Sequence, residues 1–510
     1  MVYDHKVIII FRNDMIVRKV KSFIWRSSFG MLQGQGMTSL KLSRFSSSNS
    51  DMENLTNDIM KSVENEKYRQ DGGRILKKES LEKFVEIYKT MSDYEKRNIY
   101  LSLFKSYGCN RELLQKQCES LANSYKDKNG ISTLLRSERK LNQLLKPTYY
   151  TFLTQLGSLN DGVKFLIDMR KDTITEARRG EGPREEADAV LHLSEDIKEI
   201  LSLWFSVGLL QLRRITWETS ANILEKLAKH EAVHTVRNWM DLKHRLGPNR
   251  RCYSFFHESM PHEPIIVLHV ALTQDISDNI KEILDYRETG KGYDPQEANC
   301  AIFYSITSTQ KGLQGIELGA YLIQAVVDQL KSELPGLETF SSLSPIPGFR
   351  RWLLSGLNDG SLAMQLEDSD LGDLERVRSQ YEDASENLND YLKELVTDTR
   401  KLKNKKHDVH VRKLLTKLCA IYICKIKRRS YALDPVTNFH LKNGATVWRV
   451  NWMADESLSG MQQSCGLMVN YRYFLNKMAD NSNKYITKQT IDMSEEVYGL
   501  LQKDHLSSHL

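Results

Sequence analysis

The feature that most limits what this chain can fold into is a change of hydrophobic period along its length. From about residue 54 to 200, apolar residues recur three and four apart, as in "SLEKFVEIYKTM" and "EKRNIYLSLFKSYG". That is the period of amphipathic helices. Ser92 followed by Glu95 reads as a capping box before the second of these, and Gly108 stands where that helix should stop. "NQLLKPTYYTFLTQL" and "GVKFLIDMRKDTI" continue the pattern, "RRGEGPREEAD" (178–188) interrupts it as a polar loop, and "LHLSEDIKEILSLWF" resumes it. After about residue 250 the apolar residues run together in β-branched blocks: "PIIVLHVALT" (264–273), "AIFYSITST" (301–309), "LETFSSLSPI" (337–346) and "GATVWRVNWMA" (444–454). One layer cannot serve both periods. The expectation is a mixed α+β chain, with an N-terminal all-α helical bundle over 51–203 for assembly or support, then an α/β domain over 204–510. About ninety charged, helix-patterned residues separate the third strand from the fourth, and this insert is expected to be a solvated excursion from the sheet.

Bulk properties exclude several function classes. No apolar run approaches the roughly 18 residues of a membrane span. The net charge of +6 is matched by residues 1–50 alone, where Lys6, Arg12, Arg18, Lys19, Lys21, Arg26, Lys41 and Arg44 face only Asp4 and Asp14. The folded body is therefore near neutral, and charge gives no support to nucleic-acid binding. Seven scattered cysteines form no C-x-x-C pair and no metal-ligand spacing, so reduced thiols in an intracellular compartment are expected. Residues 1–50, rich in Arg and Ser and poor in acids, read as a mitochondrial presequence, with Met52 available as a later start. The terminal Ser508-His509-Leu510 is close to the S-K-L tripeptide read by the peroxisomal import receptor, with His at the middle position.

Two stretches carry candidate chemistry. In "LETFSSLSPIPGFRRWL" (337–353) three serines fall within four positions, and two of the chain's ten prolines follow at once. Proline fixes the backbone, and a fixed backbone aims the side chain before it, Ser344. In "STQKGLQGIELGAYL" a turn bearing Gly312, Gly315 and Gly319 joins a buried strand to a helix start. Open backbone N–H groups and the helix N-terminus favour phosphate there, and a pyrophosphate is expected. The turn is neither a P-loop nor the dinucleotide G-x-G-x-x-G. Lys311, Arg350 and Arg351 are candidate phosphate partners, against the plainer reading of a solvated face. His440 precedes an Asn443-Gly444 turn that leads into a core strand, and so can reach a cleft. His234, His244, His257 and His269 compete with it, the last alternating with apolar neighbours inside a strand.

The strand–glycine turn–helix unit resembles that of GNAT-superfamily acetyltransferases, in which it holds the pyrophosphate of coenzyme A while the pantetheine lies between splayed strands. The longer motifs "GLQGIELG", "FSSLSPIPGF", "NFHLKNGA", "WRVNWMAD" and "SCGLMVNYRYFL" resemble the malonyl-CoA decarboxylase family, as do "EAVHTVRNWMDLKHRLGPNRRCY" and "PIIVLHVALT" upstream. The resemblance implies a helical oligomerisation domain, a GNAT-like catalytic domain, and conversion of malonyl-CoA to acetyl-CoA and CO₂. It implies Ser344 and His440 as catalytic residues. It also implies Gln314, Gly315, Ile316, Glu317, Leu318, Gly319 and Ala320 as the coenzyme loop. No cofactor is expected beyond the coenzyme A of the substrate, and a homotetramer is implied. The mechanistic expectation is stabilisation of an enolate by Ser344 and protonation by His440, whose side-chain type titrates in the range of a working acid. An acyl-CoA N-acyltransferase and a non-catalytic acyl-CoA sensor are the competing classes.

Overall fold

The computed structural model describes residue 52 and residues 54–61, 76–126, 130–285, 294–362, 368–379 and 387–502. The presequence-like segment 1–50 and the Ser508-His509-Leu510 end lie outside the described residues. Every element below belongs to one unit, Leu55–Leu510.

The 3.6-residue period becomes helices α1 (Lys78–Thr90), α2 (Asp93–Tyr107), α3 (Arg111–Lys126), α4 (Ile131–Leu144), α5 (Tyr149–Leu156), α6 (Gly162–Arg179) and α7 (Arg184–Trp204). The capping box forms as expected: Ser92 Oγ accepts from the Glu95 N–H, and the Glu95 carboxylate accepts from the Ser92 N–H. The helix it starts ends at Tyr107, just before Gly108. The apolar faces meet around Phe84, which packs edge-on to Phe152 at 4.9 Å and to Phe165 at 6.4 Å.

The β-branched blocks form a mixed sheet. Its strands are β1 (Leu210–Ile215), β2 (Arg250–His257), β3 (Ile266–Thr273), β4 (Cys300–Ser308), β5 (Thr339–Ser342), β6 (Ser344–Pro345), then β9 (Thr446–Asn451) and β10 (Met468–Arg472). A separate ribbon pairs β7 (Lys427–Arg428) with β8 (Tyr431–Ala432). The order is β1-β2-β3-β4-β5-β10-β6, with β9 on the other edge of β10. Among the described strands only the β4–β5 pair is parallel, and the crossover between them is helix α11 (Gly319–Glu333), after α8 (Ala221–His230), α9 (Trp239–Arg245) and α10 (Ile280–Leu284). Ile223, Leu224 and Leu227 of α8 and Leu242 of α9 pack on Cys252 and Phe256. Glu333 of α11 holds Arg251 at 2.6 Å. Residues 251 and 252 point to opposite faces of β2, so the sheet is covered on both sides.

Sequence reading missed three strands of the mixed sheet, β1, β2 and β10, and the β7–β8 ribbon. All eight residues of β2 are buried, and a strand covered on both faces shows no alternation. Its two leading arginines hide it further. Arg251 is neutralised by Glu333, and Arg250 Nη2 donates to the Ile283 carbonyl at 2.7 Å.

The insert is helical as expected: α12 (Phe349–Asn358), α13 (Asp368–Arg378), α14 (Leu388–Thr397), α15 (Thr399–Asn404) and α16 (Val409–Cys424). It is not, however, a solvated excursion. Eleven of the sixteen residues of α16 are buried, including Leu414, Leu415, Leu418 and Ile423. Each such side chain contributes roughly 1.5–3 kcal/mol by leaving water. Even Lys417 turns inward, to Asp370 at 2.8 Å. Beyond α16 come α17 (Pro435–Lys442), α18 (Leu458–Ser464), α19 (Met478–Lys488) and α20 (Glu495–Leu501).

Candidate active site

Geometry at the site starts with a β-bulge. Across β3 and β4, Val270 pairs with Phe303 and His269 with Ser305, which leaves Tyr304 as an extra residue. A bulge bends its strand and increases the local twist. The last β4–β5 pair is Phe303 with Ser342, at that point, yet β4 continues to Ser308. β5 already pairs with β10 through Ser341 and Arg472, and beyond Leu343 the chain stays on β10, where Ser344 pairs with Val469 and Pro345 with Met468. Among the described residues, no strand pairs with the freed edge of β4. The two strands therefore diverge next to Ser344.

His440 comes from α17. Asp434 caps this helix, its Oδ1 accepting from the N–H groups of Val436 at 3.0 Å and Thr437 at 2.9 Å, and Pro435 occupies its first turn. The cap is wholly buried, and desolvation raises the Asp434 pKa despite the hydrogen bonds from Thr437 and Val436. The following turn uses Gly444 at φ 78°, where a Cβ would come within 2.0 Å of the Met478 carbonyl oxygen.

The two side chains singled out from sequence meet, 96 residues apart in the chain: Ser344 Oγ lies 2.8 Å from His440 Nε2. Ser344 is 5% exposed and His440 3%. Ser344 Oγ also donates to Ser342 Oγ at 2.8 Å, while Ser342 Oγ accepts from the Tyr471 N–H at 3.3 Å. On the other side of the imidazole, Nδ1 lies 2.6 Å from the Tyr473 hydroxyl. The ring stacks on Tyr471 at 4.4 Å and 14°. The Tyr471 hydroxyl in turn lies 2.6 Å from Thr437 Oγ1, back at the α17 cap.

These bonds assign the proton. With the one Ser344 hydroxyl hydrogen directed at Ser342, the arrangement that satisfies both contacts has Nε2 carrying the hydrogen between it and Ser344. Nδ1 is then an acceptor, and Tyr473 donates to it. Burial pushes the Tyr473 phenol well above its ordinary range, which keeps that donor protonated. Burial also pushes His440 down to about 3. The expectation that this histidine titrates near neutrality is therefore corrected. In this dry setting it is a neutral imidazole that donates through Nε2–H.

The coenzyme-loop candidates lie close by. Helix α11 begins at Gly319, where a Cβ would meet the Phe439 ring at 2.2 Å, and Phe439 packs edge-on to His440 at 5.2 Å. Gln314, Gly315 and Glu317 are exposed, Ile316 is half-buried, and Leu318 is buried under the helix start. Ala320 follows in the first turn of α11. Gly312 is pressed against the helical layer, a Cβ there falling 1.9 Å from the Ile167 carbonyl oxygen, and Arg170 of α6 donates to its carbonyl.

Other candidates fall away from the site. Arg350 is bound to the carbonyls of Val396 and Thr397. His269 is buried beside Glu231 at 3.5 Å, and burial lowers it to about 4. His244 lies against the Ile283 carbonyl, and His257 packs on Phe205. Tyr471 and Tyr473 were missed as functional residues. Their spacing of two in "NYRYF" was the available signal, since alternate residues of an extended run share a face.

Comparison with known proteins matches residues 208–509 to the malonyl-CoA decarboxylase C-terminal domain and residues 107–205 to the malonyl-CoA decarboxylase N-terminal domain. The chain belongs to the malonyl-CoA decarboxylase family. Among curated relatives, "Malonyl-CoA decarboxylase, mitochondrial" of Anser anser anser is 40% identical over 433 residues, 84% of each chain. The protein of that name from Rattus norvegicus is 39% identical over 434 residues, 84% of this chain and 86% of its own. The crystal structure of malonyl-CoA decarboxylase from Agrobacterium vitis is similar with a TM-score of 0.74 at 30% identity, covering 89% of this chain and all of its own. That from Rhodopseudomonas palustris gives 0.69 at 28% identity, over 88% of this chain and 99% of its own. The malonyl-CoA decarboxylase match spans both the helical layer and the sheet, and so takes in Ser344, His440 and the loop that seats on α6.

Proposed function

We propose that this protein converts malonyl-CoA to acetyl-CoA and CO₂. The observation that carries the reading is the Ser344–His440 contact, buried at 2.8 Å where β4 and β5 part, within a chain of the malonyl-CoA decarboxylase family. In the reaction the bond between the carboxylate carbon and the α-carbon breaks, and its electron pair moves into the thioester as an enolate. The thioester is thus the electron sink, and no cofactor beyond the substrate's coenzyme A is required.

Ser344 acts on the enolate oxygen. Its hydroxyl turns from Ser342 to that oxygen, and such a donor is worth about 3 kcal/mol in the transition state. His440 acts as the acid in its neutral form. A thioester enolate is a stronger base than imidazolate, so Nε2–H can pass to the α-carbon, with Tyr473 donating to Nδ1 to stabilise the charge left behind. A solvent proton then restores the ring, which balances the overall uptake of one proton.

Gln314, Gly315, Ile316, Glu317, Leu318, Gly319 and Ala320 would hold the coenzyme in a GNAT-like manner, the helix start favouring its pyrophosphate. The proposal extends to a helical oligomerisation domain over 51–203, a catalytic domain over 204–510, and a homotetramer. The matrix is the proposed location, supported by the mitochondrial names of the relatives. Peroxisomal and cytosolic pools follow if the import receptor reads Ser508-His509-Leu510. No described helix is long and apolar enough to cross a membrane.

The test is release of ¹⁴CO₂ from carboxyl-labelled malonyl-CoA by purified protein without an acyl acceptor. Release at an enzymatic rate is expected; none, with acyl transfer to an added amine instead, would overturn the reading.

A further inference from the structure

We propose that the helical layer is part of the substrate site: Arg178 of α6 and Lys198 of α7, facing Lys442 of α17, bind the phosphates of the coenzyme. The inference rests on the malonyl-CoA reading and adds residues to it. Three helices distant in sequence from the loop bring a cation to one largely exposed stretch, Gln314 to Glu317. Arg178 Nη2 donates to Gln314 Oε1 at 2.9 Å. Gly315 has φ 84°, and a Cβ there would lie 3.5 Å from Lys198 Cε and 3.6 Å from Nζ. Lys442 Nζ lies 3.4 Å from Glu317 Oε1. Lys311 opens the same loop.

The loop's own needs do not explain this convergence. Arg170 already anchors it from α6, buried, through the carbonyls of Gly312 and Ser194. The Arg178–Gln314 and Lys442–Glu317 contacts are exposed or half-exposed, and surface pairs of this kind are worth about 0–1 kcal/mol. Their present partners are weak and exchangeable. Gln314 offers a neutral amide, Glu317 is 79% exposed, and Lys198 leans on Glu195, itself 56% exposed, at 3.0 Å. Four cations, Arg178, Lys198, Lys311 and Lys442, thus lie on or beside the loop, against the three carboxylates Glu195, Glu263 and Glu317. A polyanion carrying several phosphates matches that excess, and it can displace the amide and carboxylate partners without disturbing the buried anchor.

The test compares malonyl-CoA with malonyl-pantetheine, which has the same acyl thioester but lacks the nucleotide phosphates. In Arg178→Gln and Lys198→Gln, kcat/KM for malonyl-CoA relative to malonyl-pantetheine should fall about tenfold for each residue. The loss should appear in KM, and Arg178→Lys and Lys198→Arg should recover most of it. An unchanged ratio would overturn the proposal, because a residue that only braced the loop would affect both substrates alike. Calorimetric titration with coenzyme A gives an arm that needs no turnover. Weaker binding in the variants supports the proposal, and equal binding overturns it. Wild-type protein that binds coenzyme A but evolves no CO₂ would instead refute the decarboxylase reading and leave the phosphate site standing.

Discussion

Tyr473→Phe isolates the hydrogen bond that holds His440 in one tautomer. The substitution keeps the ring, and so its packing on Phe303 at 6.0 Å, and deletes only the hydroxyl 2.6 Å from Nδ1. Nδ1 then lies in a fully buried site without its donor, which costs about 1–3 kcal/mol. The ring can avoid that cost by moving its hydrogen to Nδ1, but Nε2 then has no proton to give to the α-carbon. Either way the loss falls on the chemical step. Taking the middle to upper part of the range, kcat should drop about 30- to 100-fold. KM for malonyl-CoA should stay within about twofold, since Tyr473 is remote in sequence and contact from the Gln314–Glu317 loop. Steady-state release of ¹⁴CO₂ measures both constants, and a denaturant titration checks that the variant is folded. A folded variant with kcat within twofold of wild type would show that the tautomer assignment is wrong.

The remaining predictions follow from the same geometry. Burial lowers His440 from an unfolded value near 6.5 to about 3, so the unfolded chain takes up a proton at a pH where the native state does not, and stability is lost as pH falls through that window. Between pH 7.5 and 5.5 the wild type should lose about 1.4 kcal/mol more than His440→Gln in urea unfolding; identical losses would contradict a neutral, buried ring. Ser344→Ala should lower kcat about a hundredfold while calorimetry still detects coenzyme A binding, and wild-type turnover would remove the serine from the mechanism. Gly319→Ala places a methyl group 2.2 Å from the Phe439 ring, so Phe439 must shift against His440; kcat should fall several-fold, and a crystal structure with Phe439 unmoved and full activity would refute the contact.

Much of the chemistry could be read from short local patterns. The capping box before α2, the proline pair after Ser344, the glycine turn before α11 and the asparagine–glycine turn after His440 are nearest-neighbour devices, and each formed where the residues indicated. Backbone conformation is set by local sterics and local hydrogen bonds, which is why such signals survive in a single sequence. β2 and α16 show where legibility stops. Their arginines and lysines looked like solvated positions until Glu333, the Ile283 carbonyl and Asp370 were brought to them from elsewhere in the chain.

The sequence by itself determined the order of a helical layer and a sheet, and the residue types that would meet at the site. Tertiary structure decided the state of those residues. The removal of water around His440 turned an expected acid near neutrality into a neutral donor, and the bulge at Tyr304 decided where β4 parts from β5. The seating of the Gly312 loop on α6 brought helices read as support to the edge of the proposed substrate site. Desolvation, sheet divergence and long-range charge placement depend on what surrounds a residue in space, and a linear pattern carries none of them.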